Sequence, residues 1–254
     1  MNFTEYQGKH IWITGAASGI GQAQAQAFTE QGANVFALDI DPVGLAATAQ
    51  RVKHHPGQFD YFPGDVSQLQ QVQQAVYLAN QRFGTIDVLV NTAGILDAYK
   101  PTLETSEKLW ERVMNTNVKG SFHTTNTVLP QFIQQKQGVI INMASIAGLV
   151  AGGGGAAYTT AKHAIIGYTK QVDLDYAKYG IRANAIAPGA IKTPMNAADF
   201  AGTAELAAWV AKETPAGRWA QPSEVAALTL FLASNCADYI HGSVFPIDGG
   251  WLEK

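Results

Sequence analysis

The stretch TGAASGIGQ, from Thr14 to Gln22, joins a short apolar run to a helix rich in Ala and Gln. Gly15, Gly19 and Gly21 recur in it with the spacing G-x-x-x-G-x-G. Glycine permits a tight turn and a close approach of the backbone to a phosphate, and the free N–H groups at the start of a helix favour negative charge. The stretch therefore predicts a dinucleotide site, provided that the chain around it alternates between strands and helices.

The rest of the chain supplies that alternation. Its clearest apolar runs, separated by longer helical patterns, are HIWIT, ANVFALD, IDVLVN, GVIINMAS, IRANAIAP and GSVFPIDGG. Because these runs are apolar almost continuously, and not on alternate residues, they indicate strands that are buried on both faces. No linker rich in Pro, Ser or charge interrupts them. The pattern predicts an α/β fold: a single-domain, Rossmann-type, doubly wound parallel sheet with helices on both faces, over residues 1–254.

Composition narrows the function classes. With 47% hydrophobic and 15% charged residues, the sequence is that of a packed globular protein. Its 17 basic and 20 acidic residues are scattered, which argues against a nucleic-acid or anionic-membrane partner. Cys236 is the only cysteine and offers neither an intrachain disulfide nor a metal cluster. There is no recognisable leader and no apolar stretch of about 18 residues, so we expect a cytoplasmic protein without a bound metal.

Polar residues follow three of the predicted strands. Asp39 ends the second strand, 18 residues beyond Gly21, where Rossmann-type folds place an acid against the adenosine ribose hydroxyls. Asp65 follows the third strand and Asn91 the fourth. Ligands of open α/β sheets bind outside the carboxyl ends of the strands, so we expect these side chains to converge on one crevice. The alternatives are a solvated turn acid at Asp39 and helix caps at Asp65 and Asn91.

A hydroxyl, a phenol and an ammonium follow the fifth strand. Ser145 precedes Tyr158 by thirteen residues, and Lys162 follows Tyr158 by one helical turn on the same face. Serine can hydrogen-bond a substrate oxygen, and tyrosine can exchange a proton with it. A nearby cation stabilises the phenolate and lowers a tyrosine pKa from its usual value of about 10. These residues are therefore candidates for moving a proton together with a hydride; the alternative is a turn-capping serine beside an ordinary helix surface.

Together these motifs resemble those of the short-chain dehydrogenase/reductase family. The resemblance rests on TGAASGIG, NTAG, NTNVKG, the set of Ser145, Tyr158 and Lys162, and PGAIKTPM, and it extends from about Lys9 to FPIDGGW. It implies that Asn117, in NTNVKG, joins the catalytic set and supports a water-mediated proton relay through Lys162. The cofactor contacts that it implies are Gly15, Ser18, Gly19, Ile20, Gly21, Asp39, Asp65, Val66, Asn91, Ala93, Gly94, Tyr158, Lys162, Pro188, Gly189, Ile191 and Thr193.

The resemblance also implies a place for several of these contacts on a bound dinucleotide. The implied neighbours are Ser18 and Ile20 for the pyrophosphate, Asp65 and Val66 for the adenine, Lys162 for the nicotinamide ribose, Ile191 and Thr193 for the carboxamide, and Pro188 and Gly189 for the loop beneath it. The chain departs from the family pattern at Thr92, where a second asparagine is usual. A run of four glycines, Gly152 to Gly155, also precedes Tyr158 and predicts either a mobile loop or a roomy pocket.

These observations predict an NAD-dependent oxidoreductase that interconverts a secondary alcohol and a ketone. Tyr158 is expected to act as general base in oxidation and as general acid in reduction. NAD is expected over NADP because the additional phosphate of NADP would meet the charge of Asp39. The alternatives are a 3-oxoacyl-carrier-protein reductase, a polyol or sugar dehydrogenase and, outside the enzymes, an NAD-binding regulatory protein.

The substrate and the assembly are less constrained by the sequence. Residues 190–219 are expected to form a substrate lid with Met195, Phe200 and Trp209 as apolar contacts, or else a small helix with these residues in its core. Because no arginine cluster is present, we expect a neutral small-molecule alcohol or ketone. The resemblance further implies a homotetramer.

Overall fold

Strand β1 (His10–Thr14) lies in the middle of a parallel sheet of seven strands. The computed structural model describes residues 3 to 253, and within them the strand order is β3-β2-β1-β4-β5-β6-β7. The order reverses between β1 and β4, so the chain winds outward from β1 in both directions. The remaining strands are β2 (Asn34–Asp39), β3 (Phe59–Pro63), β4 (Val88–Asn91), β5 (Gly138–Met143), β6 (Ile181–Pro188) and β7 (Val244–Ile247).

Helices cover both faces of this sheet. On β1, Ile11 and Ile13 pack into one apolar layer, and Trp12, between them, packs into the other. The first layer is completed by α1, α2 and α8, the second by α3, α5 and α6. The predicted Rossmann-type, doubly wound parallel sheet is therefore confirmed. The helices are α1 (Gly19–Glu30), α2 (Pro42–Val52), α3 (Leu69–Phe83), α4 (Glu107–Met114), α5 (Gly120–Gln135), α6 (Ala156–Tyr176), α7 (Glu205–Glu213) and α8 (Pro222–Ala233).

The central strands coincide with apolar runs of the sequence, whereas the edge strand β3 is not a continuous apolar run. β1 coincides with HIWIT and β6 with IRANAIAP, and every residue of both is buried. β3, with the sequence FDYFP, pairs only with β2 and is half-buried along most of its length. An edge strand with partial cover does not require a continuous apolar run, which explains its weaker signal. In residues 3–253 no helix is long and apolar enough to cross a bilayer.

The helical segment from Glu107 to Gln135 contains a π-helical turn. Residues Asn115–Lys119 form this turn between α4 and α5. A π-turn inserts one residue into the helical repeat and re-aims the side chains beside it, often at functional sites. Here Asn117 is buried within it.

A buried network of polar side chains connects β4 and β5 to the helices of one face. Asn91 Nδ2 donates to Asn142 Oδ1 over 2.9 Å, and Asn142 Nδ2 donates to Thr169 Oγ1 of α6 over 2.9 Å. Asn91 Oδ1 accepts from Thr124 Oγ1 of α5 over 2.6 Å. Because each partner is buried, the loss of any one leaves unpaired polar atoms away from water.

We therefore expect Asn142→Ala to lower the free energy of unfolding by about 2 kcal/mol, since it removes a partner from both Asn91 and Thr169. Urea denaturation followed by circular dichroism measures the loss. The matched control is Asn126→Ala on α5, because Asn126 donates from an exposed position to Phe122 O. An equal loss of stability in the two variants would contradict the importance of the buried network.

Candidate active site

A cleft of about 600 Å³ opens at the carboxyl ends of the central strands. Its walls come from the segments that follow β1, β2, β3, β4, β5 and β6, and it spans the point where the strand order reverses. Ligands of doubly wound sheets bind at this point. The predicted site residues lie at this cleft or directly behind it, with the exception of Asn91.

The glycine loop forms the wall next to β1. Gly15 and Gly19 adopt φ values of +74° and +54°, in the left-handed region that disfavours other residues. A Cβ on Gly21 would lie 2.1 Å from Gly15 O, so only glycine lets α1 pack this closely against the end of β1. The N-cap residue of α1, Ser18, makes no side-chain capping bond, and both Ser18 and Ile20 line the cleft. The first N–H groups of α1 are thus not capped by the serine side chain and can bind an anion in the cleft.

The acids predicted for the adenosine end also line the cleft. Asp39 Oδ2 accepts from Ala17 N over 2.9 Å, and its Oδ1 accepts from Asp41 N over 3.0 Å. The carboxylate is therefore fixed between the glycine loop and the start of α2. Asp65 Oδ1 accepts from Ser67 N over 2.8 Å and shapes the turn before α3, beside Val66 in the cleft wall.

The side chain of Asn91 does not reach the crevice, contrary to the prediction. Its amide is buried in the polar network with Asn142 and Thr124, and Asn91 does not line the cleft. The physical reason is that Asn91 is the last residue of β4 itself and faces α5. The residues just beyond it, Ala93 and Gly94, do line the cleft.

Ser145, Tyr158 and Lys162 meet at the other end of the cleft, and all three are buried. Ser145 Oγ accepts from Ala147 N over 3.1 Å and lies within hydrogen-bonding reach of the Tyr158 hydroxyl. Lys162 Nζ donates to Met143 O over 2.7 Å and lies 5.4 Å from the centre of the Tyr158 ring. The hydroxyl, phenol and ammonium that the sequence analysis singled out are thus brought together.

Asn117 stands behind Lys162 rather than at the cleft surface. Its Oδ1 accepts from Ile95 N over 2.8 Å, and its Nδ2 donates to Ile95 O over 3.0 Å. A Cβ on Gly94 would lie 3.4 Å from Asn117 Oδ1 and 3.7 Å from Lys162 Nζ. The missing side chain at Gly94 therefore leaves space in front of the ammonium.

Burial dominates the titration of this site. Burial raises the pKa of Tyr158 to about 12; the hydrogen bond with Ser145 lowers it, and the neighbouring Tyr99 and Asp97 raise it. Burial also lowers the pKa of Lys162 to about 8. From these protein groups alone the phenol is less acidic than a free tyrosine, which is the opposite of the lowered pKa expected from a neighbouring cation. The cost of burying a phenolate is the largest cause of this rise and outweighs the hydrogen bond from Ser145.

The loop after β6 closes the cleft from the side. Pro188, Gly189, Ile191 and Thr193 line it as expected, and so does Met195. Phe200 instead packs on Trp219, with ring centres 4.8 Å apart, and Trp209 lies against Trp251 at 6.4 Å, away from the cleft. Of the three apolar contacts expected in the lid, only Met195 faces the cleft.

Close packing explains two glycines of the run before Tyr158. A Cβ on Gly154 would lie 2.5 Å from Tyr158 Cδ1, and one on Gly155 would lie 2.5 Å from Lys100 N. Gly153 lines the cleft. At Gly154 and Gly155, therefore, glycine is required by the neighbouring phenol and by the loop after β4, and not by a wide pocket.

Sequence reasoning missed Asp97 and Tyr99 in that same loop. Asp97 is fully buried and bonds to the main chain at Gly155 and Tyr158, while Tyr99 lines the cleft. The partners of Asp97 lie 58 and 61 residues further along the chain, and the Tyr99 hydroxyl reaches Asp199, 100 residues further, so no local spacing could have identified either residue. In the part of the chain that the structure describes, no group of three or more His, Cys, Asp or Glu side chains could hold a metal ion.

The cleft fits a nicotinamide dinucleotide at both ends. One end offers an uncapped helix N-terminus beside a fixed carboxylate, which suits a pyrophosphate and a ribose. The other end offers the open space at Gly94 in front of Lys162, which suits a ribose hydroxyl and a planar ring beside the phenol.

Comparisons with known proteins agree with this geometry. A sequence profile of the family described as enoyl-(acyl carrier protein) reductase matches residues 15–252. 3beta-hydroxysteroid dehydrogenase 2 of Eggerthella lenta is 40% identical over 249 residues, which are 96% of this chain and 95% of that protein. 3-oxoacyl-(acyl-carrier-protein) reductase of Thermotoga maritima is 40% identical over 250 residues, 96% of this chain and 98% of that protein.

Solved structures place the chain in the same family. The crystal structure of levodione reductase superimposes with a TM-score of 0.93 at 34% identity and covers 96% of this chain and 98% of that one. With a profile match over almost the whole length, relatives at 40% identity and the site geometry above, the family is established. The chain belongs to the short-chain dehydrogenase/reductase family, whose members are NAD(P)-dependent oxidoreductases acting on hydroxyl or carbonyl groups.

Proposed function

We propose that this protein is an NAD-dependent oxidoreductase that interconverts a neutral secondary alcohol and its ketone. The observation that carries the proposal is the meeting of Ser145, Tyr158 and Lys162 at one end of a cleft whose other end holds Asp39. A pure NAD-binding regulator has no need of a buried phenol, hydroxyl and ammonium. We further propose that residues 1–254 form one domain, in which residues 190–219 are the substrate lid. The protein is proposed to be cytoplasmic and to bind no metal.

In the proposed reaction the protein positions the substrate and moves a proton. The bound NAD supplies the hydride acceptor, and NADH the donor. Ser145 Oγ holds the substrate oxygen, and Tyr158 Oη removes its proton in oxidation and returns it in reduction. Lys162 carries a positive charge below its pKa of about 8 and so stabilises the phenolate. Asn117 maintains the main chain of Ile95 behind Lys162, in line with its proposed part in a proton relay.

The walls around Tyr158 favour a neutral, partly apolar substrate. The cleft near the proposed catalytic residues is also lined by Leu96, Tyr99, Gly153 and Met195. Besides Lys162, the only cation among the described lining residues is Arg112, on an exposed position of α4. Proteins similar to this chain are named for a hydroxysteroid, for levodione and for cyclohexanol, which supports a cyclic alcohol or ketone. A panel of such compounds, with a 3-oxoacyl thioester and a polyol as the alternatives, assayed with both cofactors at the nicotinamide absorbance, tests the substrate class.

We expect Tyr158→Phe to lower kcat by at least about 100-fold, because it removes the proton-transfer group, while NADH still binds. Steady-state kinetics and NADH fluorescence titration measure the two effects. Tyr168→Phe is the matched control, since Tyr168 lies on the same helix and burial raises its pKa to about 12 as well. Near-normal turnover by Tyr158→Phe on a good substrate would rule out its proposed role.

We expect NAD to be preferred over NADP by about 10- to 100-fold in kcat/KM. Unit charges about 4 Å apart at an effective dielectric near 20 repel by roughly 4 kcal/mol, and water at the cleft rim reduces this to about 1.5–3 kcal/mol. The carboxylate of Asp39 cannot readily move away, because Ala17 N and Asp41 N hold it. The next residue, Ile40, is 72% exposed and brings no cation.

The double variant Asp39→Ala, Ile40→Arg should then prefer NADP more than the parent does. The ratio of kcat/KM with the two cofactors measures this shift. Asp41→Asn is the control: it removes a neighbouring charge while keeping a good cap for α2, where Asp41 Oδ1 accepts from Val43 N. Equal or higher kcat/KM of the unaltered enzyme with NADP would show that Asp39 does not hold the ribose.

We also propose a homotetramer, and expect light scattering at micromolar concentration to give about four times the chain mass of 27.1 kDa. The surface of α5 and α6 supports this, since Phe122 is 50% and Leu174 75% exposed. Such apolar side chains are typical of subunit interfaces. A single species of 27.1 kDa would refute the assembly.

A further inference from the structure

Asp97 joins three segments of chain around the reaction end of the cleft. Its Oδ1 accepts from Gly155 N over 2.9 Å and from Tyr99 N over 3.2 Å, and its Oδ2 accepts from Tyr158 N over 2.9 Å. The side chain is completely buried. One carboxylate therefore connects the loop after β4 to the glycine run and to the first turn of α6.

This carboxylate caps the helix that carries Tyr158. The N-cap residue of α6 is Gly155, which has no side chain to accept a hydrogen bond. A Cβ there would lie 2.6 Å from Asp97 Oδ2, so the glycine makes room for a cap supplied from elsewhere in the chain. In the described residues Asp97 has no ion pair, and its charge is held by N–H groups and by the positive end of α6.

The same carboxylate holds a strained turn that brings Tyr99 to the cleft. Ala98 and Tyr99 have φ values of +54° and +57°, a left-handed conformation that is costly for both residue types. The bond from Tyr99 N to Asp97 Oδ1 holds this turn. Tyr99 then lines the cleft, with its hydroxyl 3.4 Å from Asp199 Oδ2 in the loop after β6.

We propose that Asp97 is a positioning residue of the reaction site, which holds the first turn of α6, with Tyr158, against the loop that carries Tyr99 and adds a negative charge near the phenol. The inference rests on the proposed role of Tyr158 in proton transfer. The ammonium of Lys162 and the carboxylate of Asp97 then act on the phenolate with opposite sign. Burial remains the largest influence on the pKa of Tyr158, and the charge of Asp97 adds to it.

The charged and titratable groups around Tyr158 fix the direction of the effect. They are Lys162 on α6, Ser145 after β5, and Tyr99 and Asp97 after β4, with Asp199 of the loop after β6 reaching Tyr99. Burial is the largest cause that raises the pKa of Tyr158, and the charge of Asp97 raises it further. Removal of that charge lowers the pKa, so the phenolate forms at lower pH.

Asp97→Asn is the first test, because asparagine keeps the size but has one accepting oxygen in place of two. We expect kcat of alcohol oxidation to fall by about 10-fold or more, through misplacement of the phenol. The acid limb of the kcat–pH profile should move to lower pH, and KM should rise as Tyr99 loses its place. The dissociation constant of NADH should change much less than kcat, because Asp97 does not line the cleft and the glycine loop and Asp39 at the adenosine end are unaltered.

Asp97→Glu is the second variant and separates charge from placement. It keeps the negative charge but moves the carboxylate, so kcat should fall while the acid limb stays within about 0.2 units of the parent. Hydrogen exchange of the peptide over residues 153–160, measured without substrate, should be faster in both variants, since each weakens the cap of α6. This readout tests the placement even if Tyr158 has another role, which Tyr158→Phe decides separately.

Asp173→Asn is the matched control. Asp173 is a buried acid near the other end of α6, where its Oδ1 accepts from Ala183 N over 2.8 Å and from His241 Nδ1 over 3.0 Å. This variant should lose stability but keep the parent kcat, pH profile and exchange of residues 153–160. The proposal is overturned if Asp97→Asn matches Asp173→Asn in these readouts, or if its acid limb stays in place or moves to higher pH.

Discussion

The close contact between the glycine loop after β1 and helix α1 is the constraint on which the site depends. With a Cβ on Gly21 only 2.1 Å from Gly15 O, no other residue lets α1 start directly above the end of β1. This start turns the uncapped end of α1 toward the place where the sheet reverses its order. The carboxylate of Asp39 is tied to the same loop through Ala17 N, so the adenosine end of the cleft forms as one rigid unit.

The other end of the cleft combines burial with ionisable groups. The dry surroundings that make Tyr158 a poor acid and Lys162 a poor base also strengthen every charge placed beside them. Small changes of position or charge therefore alter proton affinity strongly here. This sensitivity explains why so many main-chain groups hold the site, from Met143 O at the lysine to the cap of α6.

The sequence was sufficient for the sheet and for the main polar groups, because both leave local signals. Buried strands such as HIWIT and IRANAIAP are continuous apolar runs, and a phenol one turn before an ammonium can be recognised by its spacing. The sequence predicts that Asn91 lies at a strand end, but it does not predict the direction of the side chain. That direction depends on whether the residue lies inside the strand or just beyond it. Asp97 left no signal at all, because its partners Gly155 and Tyr158 are distant in sequence.

The strand order has a consequence for how a newly made chain matures. β1 lies between β2 and β4, with Trp12 opposite Leu89, so its second edge remains unpaired until synthesis has passed Asn91. The cleft also lacks the wall formed by the segment after β6 until β6 has paired with β5. Contacts between such distant segments form slowly and leave apolar strands open to aggregation in the meantime. A dinucleotide therefore finds its complete cleft only after these late strands have paired.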